Sequence, residues 1–450
     1  MPGCVLRLRA VLIAAALVAA IAVLLGLAST RDDVSASSPS GRSGNAPHPV
    51  VEDPTPTGRD STSSPSSGEG ILLSRAELMA LPMSGPAWDA IMVQVENPSG
   101  GSYRLSTRDH SNMDVLANAL AGARLNNAVY EAFVRDKIAN MMAAPRKESD
   151  LLGTLRHLQT YIISADLIDL RSFDPALDAR FRRWLAAEIR FEYSGGGGGS
   201  VISTHERKPN NFGTHAGASR IAAALYLDDA EELKAARDVW YGWATGDPDF
   251  VPEDRVWTGT DWQCSDSRPS GINREGCTRD GHSLDGVIPE DQERCGEYSW
   301  YSWPPCATNY IHGATDGMTL SFWMLARQGE DPWAWGDQAA LRQMRWKYEV
   351  QQPPYEGFRW QIPVVEAAYG LDLPGNDPTA TSTNFGYADW WATPFGGRST
   401  EFERPDLGRE PGPPPVGGYG VVLAVLLVAL LVLVLVSVVA VRSRNRAKKR

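Results

Sequence analysis

Pro209-Asn210-Asn211-Phe212-Gly213-Thr214-His215-Ala216-Gly217 opens a run of small and apolar residues that continues to Leu227. Small and apolar residues on every face predict a buried helix rather than a surface one. The proline and the two amides before it are start signals, with Asn210 or Asn211 as the N-cap. If the helix starts by Asn211, Asn211 and His215 leave the same face one turn apart. An amide and an imidazole on the inner wall of a helical domain suit abstraction of a proton next to a carboxylate. The amide neutralises the carboxylate, and the imidazole takes or relays the proton.

The chain around this helix keeps the same period. Apolar residues recur at three and four over 86–95, 113–121, 128–142, 151–167, 175–191 and 230–244, and again over 310–328 and 335–350. Turn residues separate these segments, and no run of period two demands a sheet. Serial helices joined this way predict an all-α fold, an incomplete (α/α) toroid of antiparallel hairpins with long loops. Such a ring places its site on loops in a central cleft. Residues 245–308 form the longest irregular tract, rich in Gly, Asp, Pro and Trp. The run Gly195–Gly199 lacks the lysine and flanking strand of a nucleotide loop and reads as a flexible surface loop.

The ends read as membrane segments. Arg7 and Arg9 precede an apolar run, so residues 1–30 are a signal peptide or signal anchor. Residues 31–70 form a disordered Ser/Pro/Gly-rich spacer. The large domain covers 71–403, and a Pro/Gly linker covers 404–418. Residues 419–441 make an uncharged transmembrane helix, and 442–450 a basic cytoplasmic tail. Membrane lipid is therefore a partner of the C-terminal helix, and the domain lies outside the cell. The whole chain carries a formal net charge of −11, and the basic tail leaves the rest more acidic still. That balance argues against nucleic acid as a partner. It also requires any site for an acidic glycan to be locally basic. His205, Arg207 and Lys208 beside Asn211 are the residues that would make it so.

Cys4 lies in the targeting segment. Cys264, Cys277, Cys295 and Cys306 fall in the irregular tract, which in an oxidising compartment predicts disulfides. Their spacings do not follow the paired pattern of structural zinc sites. Each of the pairs Cys264–Cys277 and Cys295–Cys306 closes a short loop in a tract with few helical bonds to hold it, and these are the expected bridges. No metal and no cofactor is expected. Of 15 tryptophans, only Trp88 and Trp184 precede Trp240. Tyr298, Trp300, Tyr301 and Trp303 crowd together in the same tract. They are either a platform for the C–H faces of a sugar or core aromatics beside the disulfides.

Three pieces of this sequence resemble the alginate lyase domain, a helical toroid of bacterial polysaccharide lyases. Asn210 to Arg220 resembles that family's Asn-Asn segment, in which an Asn and a nearby His line the cleft. Asp285-Gly286-Val287-Ile288-Pro289 to Arg294, with Trp303-Pro304-Pro305 and Tyr310, resembles the segment supplying an Arg and a catalytic Tyr. Gly329 to Trp335 and Asn384 to Trp390 resemble end motifs of an actinobacterial-type, membrane-anchored branch. The family places its His directly after the second Asn, where this chain has Phe212.

The resemblance implies an extracellular lyase cleaving a uronate-containing, acidic polysaccharide by β-elimination. Asn211 would neutralise the carboxylate, and His215 would act as base or second neutraliser. Tyr310 would serve as acid or as both, with Arg294 beside it. Asn210, Arg207, His312, Tyr298, Trp300 and Trp303 would bind substrate. Two other readings stand beside it. One is a non-catalytic glycan-binding surface protein; the other is a glycoside hydrolase on the same toroid, drawing on Glu290, Asp291 and Glu297. For topology, protease treatment of intact cells should remove the domain and spare the basic tail. A domain that stays protected until the membrane is opened would overturn this assignment.

Overall fold

The computed structural model describes residues 70–195, 197–265, 267–299, 301–306, 308–350, 356–393 and 400–401. The expected signal segment, spacer, linker, membrane helix and basic tail lie outside them. Among the described residues no helix is long and apolar enough to cross a membrane.

The described chain is all-α apart from two pairs of two-residue strands. Thr278–Arg279 pairs antiparallel with His282–Ser283, and Leu371–Asp372 pairs parallel with Thr400–Glu401. The helices run in chain order as α1 (Arg75–Ala80), α2 (Pro86–Glu96), α3 (Asn112–Leu125), α4 (Ala128–Ala143), α5 (Leu151–Leu167), α6 (Leu170–Phe173), α7 (Pro175–Glu188) and α8 (Val201–Arg207). They continue with α9 (Asn211–Leu227), α10 (Ala230–Thr245), α11 (Pro289–Gln292), α12 (Asn309–Arg327), α13 (Trp335–Val350), α14 (Ile362–Tyr369) and α15 (Ala388–Trp391). Every periodic segment of the sequence falls in a helix, except that Gly336, Asp337 and Gln338 break the start of α13 with left-handed backbone angles. The segment expected over 175–191 stops at Glu188, because Tyr193 turns away to bridge Gly199.

Local chemistry sets the hairpins. Asn126 ends α3 in the left-handed conformation, and the Asn127 side chain accepts from Val129 N–H to start α4. Asp228 and Asp229 repeat the device between α9 and α10, the Asp229 carboxylate accepting from Glu232 N–H. Short polar side chains tolerate the left-handed residue and cap the next helix. Two-residue turns then force the paired helices antiparallel.

Helices α3, α5, α9 and α12 form an inner row, each packed on the next. Helices α4 and α10 lie against them from outside, and α13 packs on α10. The inner helices are buried almost throughout: in α9 only Phe212, Leu225 and Leu227 are not fully buried. The C-terminal segment returns to the start of the row. The Trp390 indole N–H donates to the Pro82 carbonyl, and Asn112 Nδ2 donates to the Thr383 carbonyl.

The Gly195–Gly199 run is not the loose loop expected. Tyr193 and Gly199 exchange both backbone hydrogen bonds, and Gly195 N–H donates to the Glu148 carbonyl. Gly197, Gly198 and Gly199 all take positive φ, which only glycine adopts without strain. The turn feeds α8, a helix that periodicity did not reveal. The irregular tract carries both expected bridges, Cys264–Cys277 and Cys295–Cys306.

Close approach in the inner row depends on glycine. A Cβ on Gly317 of α12 would run into the backbone of Thr214 and His215 in α9. Gly317→Ala should therefore lower stability by about 1–3 kcal/mol in chemical denaturation, the usual cost of overpacking. Gly357→Ala, where a Cβ meets nothing within 4 Å, should stay within about 0.5 kcal/mol of the parent. Equal stability of the two variants would refute the packing argument.

Candidate functional site

The start of α9 resolves which amide does what. Asn210 is the N-cap, its Oδ1 accepting from Phe212 N–H at 3.1 Å. Asn211 is the first helical residue, and it and His215 leave α9 on one face, both buried. Gly313 of α12 faces them: a Cβ there would lie 3.6 Å from the Asn211 Cβ and 3.8 Å from His215 Nε2. Tyr310 sits three residues earlier on α12, so its Cβ lies one turn away on the same side. Its ring is 45% exposed, and the Arg294 guanidinium lies 5.1 Å from the ring centroid.

Two charged residues complete the cluster. Asn211 Nδ2 donates to Asp291 Oδ1 at 2.7 Å. On the other side, Arg156 Nη2 of α5 donates to Asn211 Oδ1 across a long 3.4 Å. The amide thus bridges a cation and a carboxyl drawn from three separate parts of the chain. Burial pulls the Arg156 guanidinium below its usual value, and Asp316, Asp291 and Tyr310 lie close enough to pull it back up. Burial, with Arg156 and His157 nearby, holds the His215 imidazole well below its ordinary range, so it stays neutral at neutral pH. Both His215 ring nitrogens and Asp291 Oδ2 are buried without a hydrogen-bond partner among the described residues. Unpaired buried polar atoms are costly, and three of them meet in this cluster.

Other expected site residues do different work. Arg207 pairs with Asp254 at 3.2 Å on the surface. His205 is buried against Trp240, and burial with Arg220 and Arg255 keeps it neutral. The Lys208 ammonium reaches the Gly197 carbonyl and the face of Phe212. The local positive charge at the site comes instead from Arg156 and Arg294. His312 is buried and stacks on Phe358, ring centroids 5.1 Å apart.

Tyr298 and Trp303 are not a platform. The Tyr298 ring meets Trp262 edge-on, carries the Arg279 guanidinium at 4.8 Å, and donates its hydroxyl to the Arg279 carbonyl. Trp303 stacks on His282 at 4.2 Å and abuts Trp346. Their faces are taken by the small core that the Cys264–Cys277 bridge borders. Trp300 lies outside the described residues.

Among the hydrolase carboxylates, Glu290 is spent on the loop at Thr258 and Gly259, accepting from both backbone N–H groups and the Thr258 hydroxyl. Glu297 is exposed. Asp316, on α12, accepts from Trp360, Gln361, Asn384 and Ser382 and is likewise fully engaged. Of Glu290, Asp291 and Glu297, Asp291 combines burial with an oxygen that has no hydrogen-bond partner among the described residues. The sequence reading passed over Arg156. The signal was present: Arg156-His157 is the one charged or titratable pair in an otherwise uncharged stretch of helix from Leu151 to Ala165. Compared with known proteins, the chain matches no family model, no curated protein and no solved structure.

Burial raises the Asp291 carboxyl to about 7, with the Asn211 hydrogen bond opposing and Glu290 adding to the rise. The folded protein therefore holds this proton more tightly than the unfolded chain does. Raising the pH from about 4 to about 7 removes stability through this group. Asp291→Asn removes the titration and keeps the shape. Its stability relative to the parent should rise steadily across that window in denaturation series. A pH-independent difference would show that Asp291 does not titrate there.

Proposed function

We propose that the chain is an extracellular, membrane-anchored polysaccharide lyase that cleaves a uronate-containing glycan by β-elimination on an incomplete (α/α) toroid. The inner row of helices, with two-residue turns joining α3 to α4 and α9 to α10, supports the reading as a ring of hairpins. The observation that carries the functional reading is the gathering of Arg156, Asn211 and His215 opposite the Tyr310 side of α12, with unpaired buried polar atoms among them.

The C5 proton of a uronate becomes acidic only when the adjacent carboxylate is neutralised. Arg156 supplies a fixed positive charge. Asn211, oriented by Asp291, keeps one amide hydrogen for a carboxylate oxygen. A neutral imidazole at His215 or the Tyr310 hydroxyl, as phenolate, accepts the C5 proton. The electron pair of the C5–H bond forms the C4=C5 double bond as the C4–O4 bond breaks. Tyr310, at the solvent edge, returns a proton to the leaving O4. Arg294, 5.1 Å from the centroid of the Tyr310 ring, places a positive charge beside that exchange.

The test is a screen of polyuronates with the full chain, read as near-ultraviolet absorbance of the unsaturated product. Tyr310→Phe should cut turnover by on the order of a hundredfold or more. Arg156→Ala and Asn211→Ala should each cost on the order of a hundredfold through lost charge stabilisation. Binding of a polyuronate with no unsaturated product would support the glycan-binding reading instead. Full activity in Tyr310→Phe would end the proposed mechanism.

A further inference from the structure

A cavity of about 440 Å³ lies among the 144–150 loop, α4, α7 and the Tyr193 turn, and it shares no residue with the cluster around Asn211. Its separation follows from helix geometry. Tyr193 Oη, in the cavity wall, pairs with Thr154 Oγ1 of α5 at 2.9 Å. Arg156 follows Thr154 by two residues, so it leaves the opposite side of α5.

The wall is built and braced. Arg146 Nε donates to Glu188 Oε2 at 2.6 Å, and Tyr193 Oη donates to Glu188 Oε1 at 2.5 Å. The Glu188 side chain is fully buried. The Arg146 guanidinium lies 4.7 Å from the Phe191 ring centroid and 6.0 Å from that of Trp184. Phe181 backs Trp184 in a stacked pair. The glycine turn holds the rim, since Ser194 N–H and Oγ both donate to Glu148 beside Lys147.

Two cations of this cavity are left over. Among the described residues neither Arg104 nor Lys147 forms an ion pair, and the Arg104 Nε is buried with no hydrogen-bond partner. With Glu188 committed to Arg146, these two outnumber the remaining lining acid, Asp150. An aromatic wall beside unpaired cations fits a ligand with C–H faces and a carboxylate or sulfate. The volume falls in the range of small-ligand sites.

We propose that this cavity is a second, non-catalytic binding site for a short acidic saccharide, with Arg104 and Lys147 on its acid group and Trp184 under a sugar ring. The choice of a uronate as probe rests on the lyase reading; the cavity and its charges do not. The probe is oligogalacturonate, added to full-length Tyr310→Phe protein so that turnover does not interfere. Hydrogen exchange should slow at 141–147 and 184–193 on addition. Arg104→Ala/Lys147→Ala should weaken that protection by about tenfold or more in ligand concentration, as loss of hydrogen bonds to a charged group does. Trp184→Ala should weaken it too, with the thermal transition of the double variant unchanged.

Protection at the Asn211 cluster should survive both changes, so failure at one site is read separately from failure at the other. A neutral maltooligosaccharide of the same length protecting 184–193 equally well would overturn the acidic ligand. So would decanoate protecting it where oligogalacturonate does not. Protection by oligogalacturonate that the double variant leaves intact would overturn the roles of Arg104 and Lys147.

Discussion

The contact between α9 and α12 governs this molecule. Gly317 lets the two helix backbones come together at Thr214, and Gly313 leaves room beside Asn211 and His215. Gly217 accommodates His205 and Trp240 on another side of α9. With a larger residue at Gly317 the two inner helices would be forced apart, because packed interiors yield little to added volume. The same small residues place polar side chains of one helix directly against the next. Structure and candidate chemistry therefore depend on one interface.

Burial then sorts the polar groups of that interface by function. Asp316 and Lys347 are both buried, but each has partners: four donors surround Asp316, and Lys347 donates to Thr315 and Gln361. They hold the 360–385 segment to α12. His215 and Asp291, at equal depth, keep ring nitrogens and a carboxyl oxygen unpaired. The contrast separates polar residues that stabilise the packing from those that cost stability.

The disulfides connect the irregular tract to this site. Cys295 follows the short helix bearing Asp291, and Cys306 precedes the helix bearing Tyr310. The bridge limits how far Arg294 and Tyr310 can separate, in a stretch with little regular hydrogen bonding. Trp262, Tyr298 and Trp303 of the tract do a different job, filling a small core with Cys277, Leu284 and Trp346.

Much of this was legible in the chain. Period, caps and turn residues act within a few positions, so each periodic segment, the Asn211–His215 face and both short-loop disulfides could be read locally. Arg156 was readable only as a misplaced charge, and the aromatics of the irregular tract left two roles open. What tertiary structure alone decided involves partners far apart in sequence. It committed Glu290 to the 258–259 backbone and left Asp291 open on Asn211. It sent Arg207 to Asp254 and brought Arg156 to the amide. It turned Tyr298 and Trp303 into core. A side chain's type is local, but its desolvation and its partners depend on the whole packed chain, and those decide whether it braces the fold or is free to react.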